Sequence, residues 1–202
     1  MSTRATGLTD VSKLNDEQRV RRQRIVDAAF ELGAERGYDD VQMRDVAATA
    51  NVSLATIYRY FSSKDHVFAA AMNEWTARLH TRVATSPPKG DTMAERLIDV
   101  LLRACSALER QPKLGMALVR SLSAVDVDTR ESTLEVRRQI SSMGEQVLAP
   151  LDPETREDII SVMSHVWYSS LTSWAVGRTD FDVVTSELTR AVHALVDPHE
   201  HP

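Results

Sequence analysis

Residues 42–64, QMRDVAATANVSLATIYRYFSSK, constrain this chain more than any other stretch. They read as two short helices on either side of a tight turn, followed at once by an aromatic cluster and a lysine that opens a further helix. The first helix of the pair covers about Met43 to Ala50, with Val46, Ala47 and Ala50 inward. Asn51 supplies the turn, because asparagine tolerates the left-handed conformation. Ser53 is a good N-cap for LATIYRY, whose Leu54, Ile57 and Phe61 are expected to face the core. Ala55, Thr56, Tyr58 and Arg59 are left facing outward. That is a helix-turn-helix, a shape that fits the DNA major groove. Small residues allow close approach, threonine can touch a thymine methyl, and arginine can pair with guanine.

The flanking segments extend an all-α pattern. A first helix runs from about Asp16 to Arg36, capped by Asn15 or Asp16 and ended by Gly37, with Ile25, Ala28, Ala29 and Leu32 on one face. Gly33 marks a close approach to a neighbouring helix. Helix four starts at Ser62 or Ser63 and runs to about Thr85. Lys64 lies in its first turn, the unfavourable end for a cation in the helix dipole, and a bound phosphate would resolve the conflict. SPPKGD (86–91) breaks the chain. Beyond it, helices are expected over about 92–110, from Pro112 to about Val125, and over about 128–149, 154–177 and 181–196. About nine helices follow in total. Residues 1–14 are expected to be a disordered arm, 15–66 a DNA-binding domain and 67–198 a ligand-binding and dimerisation domain, with helix four (about 63–85) connecting the two.

Charge is informative by its distribution. The net charge is −5, but residues 1–66 hold ten Lys/Arg and ten Asp/Glu, so the acid excess lies in the remainder. Arg19, Arg21, Arg22 and Arg24 cluster in the first helix. Alone they read as a solvated face. Beside a helix-turn-helix they read as phosphate contacts, which supply most of the affinity for DNA; Arg21 and Arg22 are the candidates. Gln42, near a helix N-terminus with free N–H groups, is another. No apolar run approaches the roughly 18 residues of a membrane span. The polar N-terminus lacks the apolar core of a secretory signal. With its single Cys105, the chain fits a reducing cytoplasm.

From Ile25 to Phe68, IVDAAFELGAERGYDDVQMRDVAATANVSLATIYRYFSSKDHVF, the chain resembles the TetR family of one-component bacterial transcription regulators; YRYF followed by SSK is the most specific piece. EQRVRRQRIVDA, GYDDVQMRDVA, TIYRYFSSKDH and VWYSSLTSWAV are further similar to the actinobacterial repressors of cholesterol and steroid catabolism. The resemblance implies that Gln42, Tyr58 and Lys64 contact phosphates and that Arg44, Ala55, Thr56 and Arg59 approach bases, with Ser53 beside them. For Arg44 the alternative is a surface ion pair with Asp40 or Asp45. It also implies a homodimer formed through helices eight and nine, with Val162, Val166, Ser169, Ser170 and Ser173 near the interface. The operator would be palindromic double-stranded DNA, and the effector a small apolar molecule such as a steroid or acyl coenzyme A thioester.

The effector pocket is expected among helices four to eight. Leu101, Cys105, Leu108, Met116, Leu118, Val119, Met143, Val147, Met163, Trp167 and Leu171 are candidates, methionines being adaptable to bulky ligands. Each also suits an ordinary core. Arg120 or Arg137 could pair with an acidic ligand group, or lie at the surface. No catalytic or cofactor signature is present. The histidines show no metal-ligand spacing such as His-Glu-x-x-His, and Cys105 sits in an apolar-periodic helix. The rival reading is a helical ligand-binding or scaffold protein that does not read DNA.

Overall fold

Polar caps set the helix boundaries. The computed structural model describes residues 11–122 and 127–200. The Asn15 side chain accepts from the Gln18 amide at 2.9 Å while the Gln18 side chain accepts from the Asn15 amide at 3.0 Å, which starts α1 (Asp16–Arg36). Gly37, at φ 84°, ends it. Next come α2 (Met43–Thr49) and α3 (Leu54–Tyr60), joined through Asn51 at φ 52°, then α4 (Lys64–Thr85), capped by Ser63. Thr92 caps α5 (Met93–Glu109), Pro112 opens α6 (Pro112–Ser121), and α7 covers Arg130–Val147. Asp152 caps α8 (Pro153–Ala175), and α9 covers Phe181–Val196. The described residues thus form nine α-helices and no strand, as the all-α expectation requires.

Three expectations need correction or fall outside. The arm does not extend to residue 14: Val11–Lys13 forms a 3-10 turn, Leu14 is buried, and Arg19 Nε donates to its carbonyl at 3.1 Å. The rest of the arm, residues 1–10, lies outside the described residues. The expected continuation of α6 to Val125 falls on 123–126, also outside them.

Two apolar cores organise the helices. One gathers Ile25, Val26, Ala29 and Leu32 of α1 with Val46, Ile57, Phe61, Phe68 and Met72. The other gathers the end of α4 with α5, α7, α8 and α9 around Leu97, Leu108, Met143, Trp167, Trp174 and Leu188. A division at residue 66 does not coincide with this packing. Leu114, Ala117 and Leu118 of α6 belong to the first core, Val119 to the second. α6 is therefore clamped between both.

Glycines let α6 and α1 come close. A Cβ on Gly33 would stand 2.8 Å from the Phe68 ring, which bears out the close approach read there. A Cβ on Gly115 would stand 2.9 Å from the Trp174 ring and 3.1 Å from the Leu108 carbonyl oxygen. Gly115→Val should therefore cost about 1–3 kcal/mol, the usual penalty for overfilling a packed site. Urea unfolding measures it, and an unchanged midpoint would contradict the packing. A second expectation concerns Cys105, which is buried, with its thiol pushed up to about 12 by burial. Since the thiolate is the reactive form, an aromatic disulfide reagent should leave native protein unlabelled and label one thiol per chain after denaturation. Fast labelling of native protein would place Cys105 at the surface.

Candidate nucleic-acid interface and cavity

The seven residues of α3 divide cleanly between two faces. Ile57 and Tyr60 are buried, and Phe61 follows them into the core. Ala55, Tyr58 and Arg59 are exposed and Thr56 half-buried. Leu54, expected to face the core, is instead 40% exposed and lies one turn from the exposed Tyr58. As the first residue of α3 it precedes the turn at which the helix meets the core, which Ile57 and Phe61 already fill. Ser53 Oγ accepts from the Thr56 amide at 3.0 Å and pairs with its hydroxyl at 2.7 Å. This fixes both hydroxyls at the start of the outward face.

The basic candidates differ in how free they are. Arg59 is exposed and enters no ion pair among the described residues. Arg44 is highly exposed and stands 3.9 Å from the Asp45 carboxylate, a loose contact. Arg21 is half-buried. Arg22 was expected to reach phosphate, but its guanidinium lies 4.9 Å over the Phe61 ring, and burial lowers its pKa. It is packed as a lid on the aromatic wedge, near Glu74. The free N–H expected at Gln42 is taken, since it donates to the Asp45 carboxylate at 3.0 Å.

Lys64 is the largest revision. Its ammonium donates to the carbonyls of Tyr38 at 2.8 Å and Val41 at 3.0 Å, and sits 4.0 Å from the Tyr38 ring centroid. Burial lowers its pKa. The cation at the wrong helix end is thus satisfied internally, by tying α4 to the loop before α2. The Tyr38 hydroxyl completes this knot by donating to the Asp65 carboxylate. One sequence signal was present: the lysine conflicts with the helix dipole, which marks a partner without naming it.

A cavity of about 270 Å³ opens between α4, α6, α7 and α8. Val119, Trp167 and Leu171 line it as expected, together with Arg137, a candidate partner for an acidic ligand group, and with Leu122 and Thr133, which the sequence does not single out. A smaller apolar pocket of about 40 Å³ adjoins it through Ile140 and Trp167 and includes the expected Leu101, Met143 and Met163. Cys105, Leu108, Met116 and Val147 do not line either space. They pack inside or against the second core. Helical periodicity puts them inward but does not say where the core is hollow. Through Arg137 and Ser164 the cavity meets an open groove of about 630 Å³ between α7 and α8, whose charged lining is mixed: Arg156 stands there with Glu145 and Glu157, beside Ser161 and His165. Arg120 points elsewhere: it pairs with Asp39 at 2.7 Å.

On α8, Val162 is 46% exposed, Ser169 is exposed, and Val166 and Ser173 are half-buried. With Val176 they form an uncovered stripe at helical spacing. Ser170 is not part of it: it is buried and bonds Glu187 of α9 at 2.6 Å.

Among the described residues no group of His, Cys, Asp and Glu could hold a metal, and no helix is long and apolar enough to cross a membrane. Residues 25–71 match the bacterial regulatory proteins of the tetR family, and residues 90–195 match the tetracyclin repressor-like C-terminal domain. The HTH-type transcriptional repressor KstR of Mycobacterium tuberculosis (strain ATCC 25618 / H37Rv) is 34% identical over 92% of this chain and 85% of its own length. A TetR transcriptional regulator from Rhodococcus sp. RHA1 superposes with a TM-score of 0.78 at 29% identity, over 89% of this chain and 97% of that one. The FadR repressor of Thermus thermophilus, solved in complex with lauroyl-CoA, shares the fold with a TM-score of 0.69 at 21% identity, over 86% and 92%. With both domains matched and nearly the whole length shared with a curated relative, this chain belongs to the tetR family of bacterial regulatory proteins and is a transcription regulator, not an enzyme.

Proposed function

We infer that the protein is a homodimeric repressor that leaves a palindromic operator when an amphiphilic thioester occupies its cavity. The observation that carries the DNA-binding half is the outward face of α3, where Ala55, Thr56, Tyr58 and Arg59 stand clear of a rigid aromatic back. Arg59 is suited to a guanine edge, and Ala55 and Leu54 to thymine methyl groups. Ser53, Gln42, Arg44 and Tyr58 surround these as phosphate contacts through their side chains. Lys64 serves mainly by holding the loop, with one ammonium hydrogen left for phosphate.

Two copies are needed to read two half-sites. The α8 stripe of Val162, Val166, Ser169, Ser173 and Val176 offers the second copy a surface of small and apolar side chains. The shape of the cavity supports the effector class. The apolar end of the cavity suits an acyl or steroid body, and in the adjoining groove Arg137 and Arg156 offer two cations to a phosphate-bearing head, against Glu145 and Glu157 on the same walls. The lauroyl-CoA bound by the Thermus thermophilus relative is such a molecule, and a steroid body is what the resemblance to repressors of cholesterol and steroid catabolism implies.

Sequencing of genomic fragments selected by the purified protein tests the first half. Enrichment of a palindrome is expected, and genes of steroid or fatty-acid degradation beside it would support the ligand class. No enrichment would leave the helical ligand-binding or scaffold protein as the better reading. Arg59→Ala should weaken specific binding by about 1–3 kcal/mol, the worth of one bidentate base contact, with an unchanged melting temperature. Operator affinity should also fall steeply with salt, at about 0.9 of a log unit per phosphate contact for each log unit of salt. For the second half, saturating lauroyl-CoA or a steroid coenzyme A thioester should release the operator. If every thioester leaves the affinity unchanged, the effector reading is wrong.

A further inference from the structure

α6 touches the cavity and the DNA-binding module with neighbouring residues. Val119 and Leu122 line the cavity, while Arg120 between them donates to the Asp39 carboxylate at 2.7 Å in the loop before α2. The Arg120 guanidinium also lies 5.0 Å from the Tyr38 ring centroid. Tyr38 is the residue that Lys64 and Asp65 of α4 hold by its carbonyl, ring and hydroxyl. At the other end of α6, Lys113 Nζ donates to the Glu35 carbonyl in the last turn of α1 at 2.9 Å. Leu114, Ala117 and Leu118, between these two contacts, lie in the core of the DNA-binding module.

We propose that the Arg120–Asp39 pair is the latch through which α6 holds the loop leading into α2 and passes occupancy of the cavity to it. The inference rests on the regulator reading above. A body seated against Val119 and Leu122 pushes α6, and Arg120 moves with its neighbours. Since Arg120 grips the segment holding Tyr38 and Asp39, the loop leading into α2 follows. The latch is suited to this by being weak. Both partners are substantially exposed, at 38% and 73%, and an exposed pair contributes little to stability. A ligand can release it with a modest difference in affinity between the two states, which is all that a population shift requires.

The residues make Arg120 a positioning residue, so its test must separate position from mere stability. On the palindrome selected by the wild-type protein, Arg120→Glu should weaken binding about ten-fold, within the usual range of coupling between sites. Adding Asp39→Arg exchanges the charges, keeps the net charge of the wild type, and should restore most of the affinity. Leu171→Trp, on the α8 wall, stands in for a ligand by filling the cavity; Ile140→Phe replaces it if the tryptophan variant does not fold. The filled variant should lose affinity in the wild-type background and lose little more in the Arg120→Glu background, the non-additivity expected of residues acting in one path. Failure of the exchanged pair to recover, or losses that simply multiply, would overturn the latch.

Amide hydrogen exchange of the free protein across residues 38–45 keeps this distinguishable from failure of the regulator reading. Both Arg120→Glu and the filled variant should raise exchange there, and the exchanged pair should lower it again. If no DNA is selected but exchange responds in this way, the regulator reading fails and the mechanical linkage stands. If exchange at 38–45 does not respond to either variant, the latch is overturned whatever the DNA result.

Discussion

Seven residues make about two turns of helix, too few to persist in water without tertiary contacts. The outward face of α3 therefore exists only because its back is buried. Ile57, Tyr60 and Phe61 supply that back, buried in one core with residues of α1, α2 and α4. Arg22 lies over Phe61 from α1, so even a guanidinium is spent on holding the wedge. The loop before α2 is secured in the same manner, by Lys64 on two carbonyls and one ring. Residues that look like an electrostatic surface in the sequence are in part the frame that orients a smaller one.

That frame does not stop at the module it supports. α6 enters the first core with Leu114, Ala117 and Leu118 and the second with Val119. Close packing transmits displacement because it leaves little free volume to absorb it. Gly115 tightens the contact further by admitting the Trp174 ring and the Leu108 carbonyl. A cavity lined from both cores, by Met72 and Val136 of the first and by Val119, Trp167 and Leu171 of the second, is thus mechanically close to α3.

The parts legible in the sequence were those decided locally. Asn15, Ser53 and Ser63 cap helices because their side chains accept from amides three residues on, a relation within one turn. Gly37 and Asn51 take positive φ where a helix must end sharply. What escaped was decided by distant chain. Cys105 and Leu101 lie one turn apart on the same inward face of α5, yet only Leu101 borders empty space, because the hollow is set by α7 and α8. Ser170 reads as a small interface residue, but Glu187 of α9 claims its hydroxyl. Leu54 fits the apolar spacing of α3, and only the position of the core relative to its first turn puts it outside. Lys64 is intermediate: the helix dipole announces that it needs a partner, and only the fold brings the Tyr38 and Val41 carbonyls to it.

Strength and exposure are divided between the module and its link in a way that suits a switch. The contacts that shape α3 are buried and apolar, so a ligand of moderate affinity cannot undo them. α6 is tied to the module by the buried Leu114, Ala117 and Leu118 and, toward its two ends, by polar contacts partly open to water: Arg120 on Asp39, and Lys113 on the Glu35 carbonyl. Each polar contact exchanges for hydration at small cost. A displacement of α6 therefore changes how the module is held before it changes what the module is. The surface on α3 can keep its form while its orientation shifts, which is what distinguishes releasing DNA from unfolding.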